Sequence, residues 1–329
     1  MTGVAVLFRR SEAVIFLVLV VAMIGIGLVN PAFWQLANIF SLLRANIVTG
    51  IMALGVLTVM ISGGIDVSFP AFAMAAMYLV LLWMLNTGYS GVALPFLFAT
   101  LIGLALGALN AFFVHAVRMI PLIVTLGTGA LVRGFLLGFV GTSTINIDRM
   151  PHELIDFAKL DLVSVTGDGG SHIGLTAMLV IYLALALLVH LLLRHTMLGR
   201  AVFAMGGDKE AARRVGFNIP LTTLFVYCLA GALAGFTGLL HVSMIWLANP
   251  HDLAGMELDV IAAVVLGGAS IFGGRGSVLG TMLGVFMLVM VNNSLIIMHV
   301  STTWQRVVVG VIVIAATAVT AWRDRKRMA

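Results

Sequence analysis

The sequence predicts an all-α integral membrane protein of about ten transmembrane helices, with an inverted repeat and broken or re-entrant segments. Three observations lead there. Hydrophobic residues make up 61% of the 329 and charged residues only 9%, the reverse of what a water-facing surface requires. Apolar runs of the roughly 20 residues that cross about 30 Å of hydrocarbon follow one another from end to end. Glycine-rich interruptions fall in both halves of the chain, the usual pointer to repeats around a transport path.

The first apolar run, about 13–30, follows Arg9 and Arg10 as a signal sequence would. No small-x-small cleavage site follows it, so it reads as a retained helix. Further spans are expected near 45–62, 67–86, 92–114, 121–141, 173–193, 222–247, 258–270, 277–297 and 304–321. An even count puts both termini on one side, and the tail Arg323-Asp-Arg-Lys-Arg327 marks that side as cytoplasmic. The same side then holds Arg9, Arg10, Arg118, Arg194, Arg200, Lys209, Arg213, Arg214, Arg275, Arg323, Arg325, Lys326 and Arg327, 13 of the 18 Lys and Arg. This bias explains the net charge of +5 through topology and gives no reason to invoke nucleic acid. Residues 1–329 read as one transmembrane domain. Its longest water-facing stretches, an outer loop about 142–172 and a cytoplasmic loop about 194–221, are too short to bury a core of their own.

The 258–270 span is too short to cross as a continuous helix, and it runs into Gly267-Gly268 and then Gly273-Gly274-Arg275-Gly276. Its counterpart in the first half is Ser62-Gly63-Gly64-Ile65-Asp66. Asp66 or Ser68 could simply cap the third span, with Pro70 in its first turn; alternatively the two glycines allow a bend that moves as a pathway opens. Arg275 lies at the same face as Asp66. Glycines four apart, Gly103/Gly107, Gly231/Gly235 and Gly280/Gly284, read as seams where helix backbones approach closely.

Among the polar stretches, residues 199–216 are the most informative. Asp208 suits an N-cap, Glu210 a first turn, Arg213 and Arg214 a last turn, and Gly216 a left-handed stop, so Gly207, Asp208, Lys209, Glu210, Ala211, Ala212, Arg213, Arg214 and Gly216 form a short helix. Such a helix is unstable alone and must be held by its loops or by another protein; the plainer alternative is a solvated charged loop. Polar side chains within spans, namely Asn46, Asn110, Thr125, Thr128, Arg133, Asn292 and Asn293, are candidates for a pathway or for interhelical glue. Arg133 is the one full charge deep in a span on this reading. Around residues 148–168 the net charge is −3, and Pro151 followed by Leu154, Ile155, Ala158 and Leu162 fits a short amphipathic helix on the outer surface.

The absences narrow the function. Lysine occurs only at 159, 209 and 326, none of them in a phosphate-cradling Gly-x-x-x-x-Gly-Lys-Ser/Thr loop. No metal-ligand or nucleophile constellation stands out, so neither an enzyme nor a bound cofactor or metal is expected.

Taken together, Ser62-Gly-Gly-Ile-Asp66, Thr125-Leu-Gly-Thr128 with Arg133-Gly134, Gly206-Gly-Asp-Lys-Glu-Ala-Ala-Arg213 with Gly216, and Glu257-Leu-Asp-Val-Ile-Ala-Ala-Val-Val-Leu-Gly-Gly268 with Gly273-Gly-Arg-Gly-Ser277 resemble the permease subunits of ribose-type ATP-binding-cassette (ABC) sugar importers. That resemblance covers nearly the whole chain. It implies ten spans in the bacterial inner membrane, a second permease copy or paralogue, ABC ATPase subunits, a periplasmic sugar-binding protein and a sugar substrate. It also implies that about 207–216 is the helix that couples the membrane domain to the ATPase. One departure is Val67-Ser68-Phe69-Pro70, where the family has Leu-Ser-Val-Gly, and Pro70 stiffens the start of the third span. The expected activity is therefore solute import by alternating access, driven by a partner ATPase. An ion-gradient-driven secondary transporter is the alternative, and it would be expected to carry carboxylates mid-span.

Overall fold

The computed structural model describes residues 11–166, 172–298, 300, 301, 304, 305, 307, 308, 310, 311 and 314. Twelve helices and one hairpin are named here. They are α1 Ser11–Val29, α2 Leu36–Ile61, α3 Phe69–Thr87, α4 Ala93–His115, α5 Pro121–Phe135, α6 His152–Ala158, β1 Asp161–Thr166, β2 His172–Thr176, α7 Met178–His195, α8 Met197–Gly207, α9 Lys209–Arg214, α10 Ile219–Ile245, α11 Met256–Leu266 and α12 Val278–Ile297. A π-helical turn, Leu136–Val140, extends α5. Eight of these, α1 to α5, α7, α10 and α12, are long and apolar enough to cross a membrane. The expected tenth span, 304–321, lies mostly outside the described residues, as do Arg9, Arg10, Asp168 and the tail from Arg323 to Arg327.

Helices α2, α3 and α10 are the most buried of the eight and form the centre. All-round apolar sequence suits them, because each is surrounded by other helices. The glycine seams explain how they come so close. Gly103 lies against the Gly231 carbonyl, Gly107 against the Tyr227 carbonyl and Gly235 against the Ala99 carbonyl, so two motifs in separate halves of the sequence are the two sides of one antiparallel α4–α10 seam. A Cβ at any of these positions would meet backbone. Gly280 and Gly284 of α12 face Gly267 and Ala263 in the same antiparallel sense, which folds α11 and α12 into a hairpin.

Three boundaries differ from the sequence reading. The second span begins at Leu36, well before residue 45, because Asn38 donates to the Phe33 carbonyl and Arg44 donates to the Met244 carbonyl at 2.7 Å, satisfying groups that interrupt the apolar pattern. Arg44 is thus a further cation within a spanning helix, beside Arg133. The sixth span begins at Met178, since 172–176 pairs antiparallel with β1. The short 258–270 segment is observed as α11, Met256–Leu266, 11 residues. It starts from the end of the bundle where α10 stops, and its glycine-rich tip reaches the end where α2 stops. At about 1.5 Å per residue α11 alone cannot cover that distance, and the irregular stretches on either side supply the rest.

α7 runs from the hairpin to α8, so the hairpin and the α8–α9 element lie at opposite ends. At the hairpin end, α6 buries Leu154, Ile155 and Ala158 as its amphipathic pattern predicts, whereas Leu162 sits exposed in β1. A two-residue bridge between Ile145 and Ala248 and a hydrogen bond from Tyr78 to the Ser143 carbonyl at 2.7 Å fasten this region to the bundle.

Candidate functional site

The α8–α9 element is shaped by two capping residues. Thr196 accepts from the Gly199 amide at 3.0 Å and starts α8. Asp208 ends α8 and starts α9: its extended backbone breaks the chain direction, and its Oδ1 accepts from the Glu210 and Ala211 amides, both at 2.9 Å. Gly207 is therefore the last residue of α8, and α9 itself is Lys209–Arg214, with Gly216 in the left-handed region at φ +97° just beyond it. Ala212 packs with Met205 and Ile219 in a small apolar cluster of its own, which holds α9 in place. Lys209, Glu210, Ala211, Arg213 and Arg214 remain exposed. The Glu210–Arg213 pair, 3.4 Å apart and well solvated, adds little to stability.

Just before this break, α8 meets both glycine-interrupted motifs through backbone alone. Gly206 lies against the Ile61 carbonyl at the end of α2 and against the Gly274 amide in the α11–α12 loop, and that amide donates to the Ile61 carbonyl at 2.8 Å. Gly273, at φ +92°, packs on Gly63, at φ +86°, and on Gly206; Gly274 faces Gly207. No residue with a Cβ fits at Gly206 without displacing this junction. Three segments far apart in sequence thus share one joint.

Beside the joint lies a buried polar chain. Asp66 is 2% exposed, and its Oδ1 accepts from the Ser68 amide at 2.7 Å and the Ser68 hydroxyl at 2.6 Å. Ser68 Oγ accepts from Asn110 Nδ2 at 2.9 Å, and Asn110 Oδ1 accepts from the Thr128 hydroxyl at 2.6 Å. Thr125 donates to the Ile65 carbonyl at 3.2 Å. The chain ties the 62–68 turn to α4 and α5, and its links from Asp66 through Ser68 and Asn110 to Thr128 are all buried. Ser68 occupies the N-cap position of α3 without a side-chain cap bond, because its hydroxyl is committed to Asp66. Burial raises the Asp66 carboxyl above the usual carboxylate range, and the two bonds from Ser68 oppose that rise. The Tyr227 hydroxyl of α10 is buried next to Gly64 and has no hydrogen-bond partner among the described residues.

The structure therefore gathers Gly63, Gly64, Asp66, Ser68, Thr125, Thr128, Gly207 and the loop bearing Gly267, Gly268 and Arg275 near one end. Arg275 is exposed there, and its carbonyl accepts from the Ser270 amide at 3.0 Å. Other candidates are elsewhere. Asn46 is spent on the Leu42 carbonyl of its own helix at 2.8 Å. Arg133 pairs with Glu257 in the first turn of α11 at 3.5 Å. Asn292 and Asn293 lie far along α12, half-buried, and Asn293 Oδ1 has no partner among the described residues. Tyr227 and Arg44 escaped the sequence reading, and Gly206 entered it only as the first residue of a family-like stretch, not as a contact. For Gly206 a signal existed in the Gly206-Gly207 pair; for Tyr227, an aromatic in an apolar run, there was none.

Comparison with known proteins is consistent with this arrangement. A family model described as "Branched-chain amino acid transport system / permease component" matches residues 38–317. The chain is 31% identical over 317 residues to the ribose import permease protein of Escherichia coli (strain K12), covering 94% of this chain and 93% of that one. It is 32% identical over 314 residues to the ribose import permease protein of Bacillus subtilis (strain 168), covering 95% and 92%. Against the D-allose transport system permease protein of E. coli (strain K12) the identity is 29% over 304 residues, covering 92% and 89%. No solved structure matches the chain.

Proposed function

The chain belongs to the branched-chain amino acid transport system / permease component family, and from that premise we propose that it is the membrane-spanning permease subunit of a bacterial ABC importer for a sugar or sugar-like solute. It is a multi-pass protein of the bacterial inner membrane. As a permease component it is not itself an enzyme. A sugar is favoured over an amino acid because the relatives that match nearly end to end are named for ribose and D-allose.

In this reading the α8–α9 end, rich in exposed Lys and Arg, faces the cytoplasm, the outer loop with its hairpin faces the periplasm, and both termini are cytoplasmic. Residues 207–216 are the coupling element, and α9 docks on an ABC ATPase subunit. A second permease copy or paralogue completes the path, and a periplasmic sugar-binding protein delivers the solute. The observation that carries the reading is the backbone joint at Gly206. Displacement of α9 acts directly on the 62–66 turn, where α2 passes into α3, and on the loop between α11 and α12, without a side chain to absorb it. Alternating access follows as a rigid-body consequence of ATPase closure. The Asp66–Ser68–Asn110–Thr128 chain carries the same displacement from that turn to α4 and α5.

The test is to purify the subunit in detergent together with its ATPase and to measure ATP hydrolysis on adding binding protein loaded with ribose, other sugars or branched-chain amino acids. Stimulation by a sugar-loaded binding protein is the expected result, and the responding ligand names the substrate. Absence of an associated ATPase, together with solute movement driven by an ion gradient alone in liposomes, would overturn the importer reading.

A further inference from the structure

Phe272 is 93% exposed, the most exposed of the large apolar side chains among the described residues. It sits at the tip of the α11–α12 loop, and that tip is rigid. The Ser270 amide donates to the Arg275 carbonyl at 3.0 Å, the Gly273 amide to the Ser270 carbonyl at 3.2 Å, and the Phe272 amide to Ser270 Oγ at 3.2 Å, while the Gly274 amide is fixed to Ile61. An aromatic ring presented on a bonded turn is partly preorganised for contact, since the backbone ordering cost is already met.

Lipid is the ordinary partner of exposed apolar groups in a spanning protein, but the position of Phe272 speaks against it. The next residue, Gly273, packs on Gly206, and Gly274 faces Gly207, which places the ring level with the start of α9. Lys209, Glu210, Arg213 and Arg214 are exposed at that level, and so is Arg275 three residues after Phe272. These charges belong in water. Ile271, 44% exposed, and Val215, 80% exposed at the end of α9, add apolar surface to the same end. An apolar centre with a charged margin is the anatomy of a protein interface.

We propose that the α11–α12 loop is a second docking element for the ATPase subunit, with Phe272 as its anchor. The proposal rests on the importer reading, and it assigns the ATPase a small apolar pocket beside the groove that receives α9. The five margin charges sum to +3, so the rim of that pocket is acidic. Because the loop and α9 share the Gly206 joint, the ATPase grips both sides of the joint at once.

A photo-reactive phenylalanine analogue is placed at position 272 in one sample and at position 215 in another, and the subunit is purified with its ATPase. Cross-linking of position 272 to the ATPase is expected, as is a roughly tenfold loss of retained ATPase for Phe272→Ala in a dilution wash, restored by Phe272→Trp. If position 215 cross-links to the ATPase while position 272 reaches only lipid, a second copy of the chain or nothing, the second docking element is overturned and the importer reading stands. Retention by Phe272→Ala equal to that of the unaltered chain also overturns it. If no ATPase co-purifies and neither position captures one, the importer reading fails and takes this proposal with it.

Discussion

Asp66 and Asp252 are both carboxylates beside membrane helices, yet their surroundings act on them in opposite directions. Asp66 is buried and its carboxyl is raised, so it favours the neutral form on folding. Its share of stability is full below the unfolded value and is lost as pH rises through the folded one. The melting midpoint in detergent should therefore climb as pH is lowered through the folded value towards the unfolded one, and Asp66→Asn, which keeps the acceptor oxygen for Ser68, should flatten that slope. Asp252 accepts from His241 at 2.6 Å, and that bond holds its carboxyl below the usual range against a smaller opposing effect of burial. Its stabilisation is present above the unfolded value and disappears as pH falls through the lower folded one. Asp252→Asn should lower the midpoint at neutral pH, and its difference from the unaltered chain should shrink as pH falls through the lowered folded value. Within the polar chain, Asn110→Ala removes the link between Ser68 and Thr128 while Ser68 keeps its bond to Asp66 and Thr128 its bond to the Val124 carbonyl, so it should cost about 0.5–1.5 kcal/mol, read as a lower melting midpoint. The residue types in this chain were legible because polar groups stand out in apolar runs. Their pairing was not, since Asp66, Asn110 and Thr128 come from three elements and no spacing rule connects them.

Helices declared themselves wherever an apolar run met a proline, a glycine or a charged end. α3, α4, α5, α10 and α12 start or stop within three residues of the places where the sequence puts them. α8 was hidden because its sequence closes on two glycines, poor helix formers whose cost is offset by buried Ala201, Val202 and Met205 and by the Thr196 cap. The β1–β2 hairpin was hidden because its short strands adjoin an apolar run that continues straight into α7. The glycine seams were read as packing, and the structure adds that Gly103/Gly107 and Gly231/Gly235 pack on each other. At this scale the sharpest expectation concerns Gly206→Ala. A methyl group there meets the Ile61 carbonyl, so the subunit should still assemble with its ATPase while stimulated hydrolysis falls at least about tenfold. Unchanged stimulation in a monodisperse complex would remove the joint from the mechanism.

Across the whole molecule the two ends are built differently. One end is joined by backbone at Gly63, Gly206 and Gly274. The other is joined by side chains and loops: Arg133 to Glu257, Arg44 to the Met244 carbonyl, His241 to Asp252, Lys159 over the Trp246 ring, and the Ile145–Ala248 bridge. The proposed orientation rests on the collection of cations on one side of the sequence-predicted spans. Hydropathy does not single out the central helices, because the most apolar helix, α1, lies at the rim while α2, α3 and α10 are buried. Reversing the charge of α9 with Arg213→Glu and Arg214→Glu should abolish uptake while leaving the amount of protein in the membrane unchanged, as measured by labelled-sugar accumulation beside an immunoblot. Uptake at the original rate would assign α9 to an ordinary solvated loop.

The Asp208 elbow separates what must be conserved from what is free to vary. On its α8 side, Gly206 and Gly207 meet the end of α2 and the α11–α12 loop through main chain. On its α9 side, the exposed groups are Lys209, Glu210, Arg213 and Arg214. In the proposed importer the element is an adaptor with a fixed socket and an exchangeable plug. Replacing 209–215 with the corresponding stretch of a ribose permease should transfer the preference for that permease's ATPase and leave the choice of solute untouched.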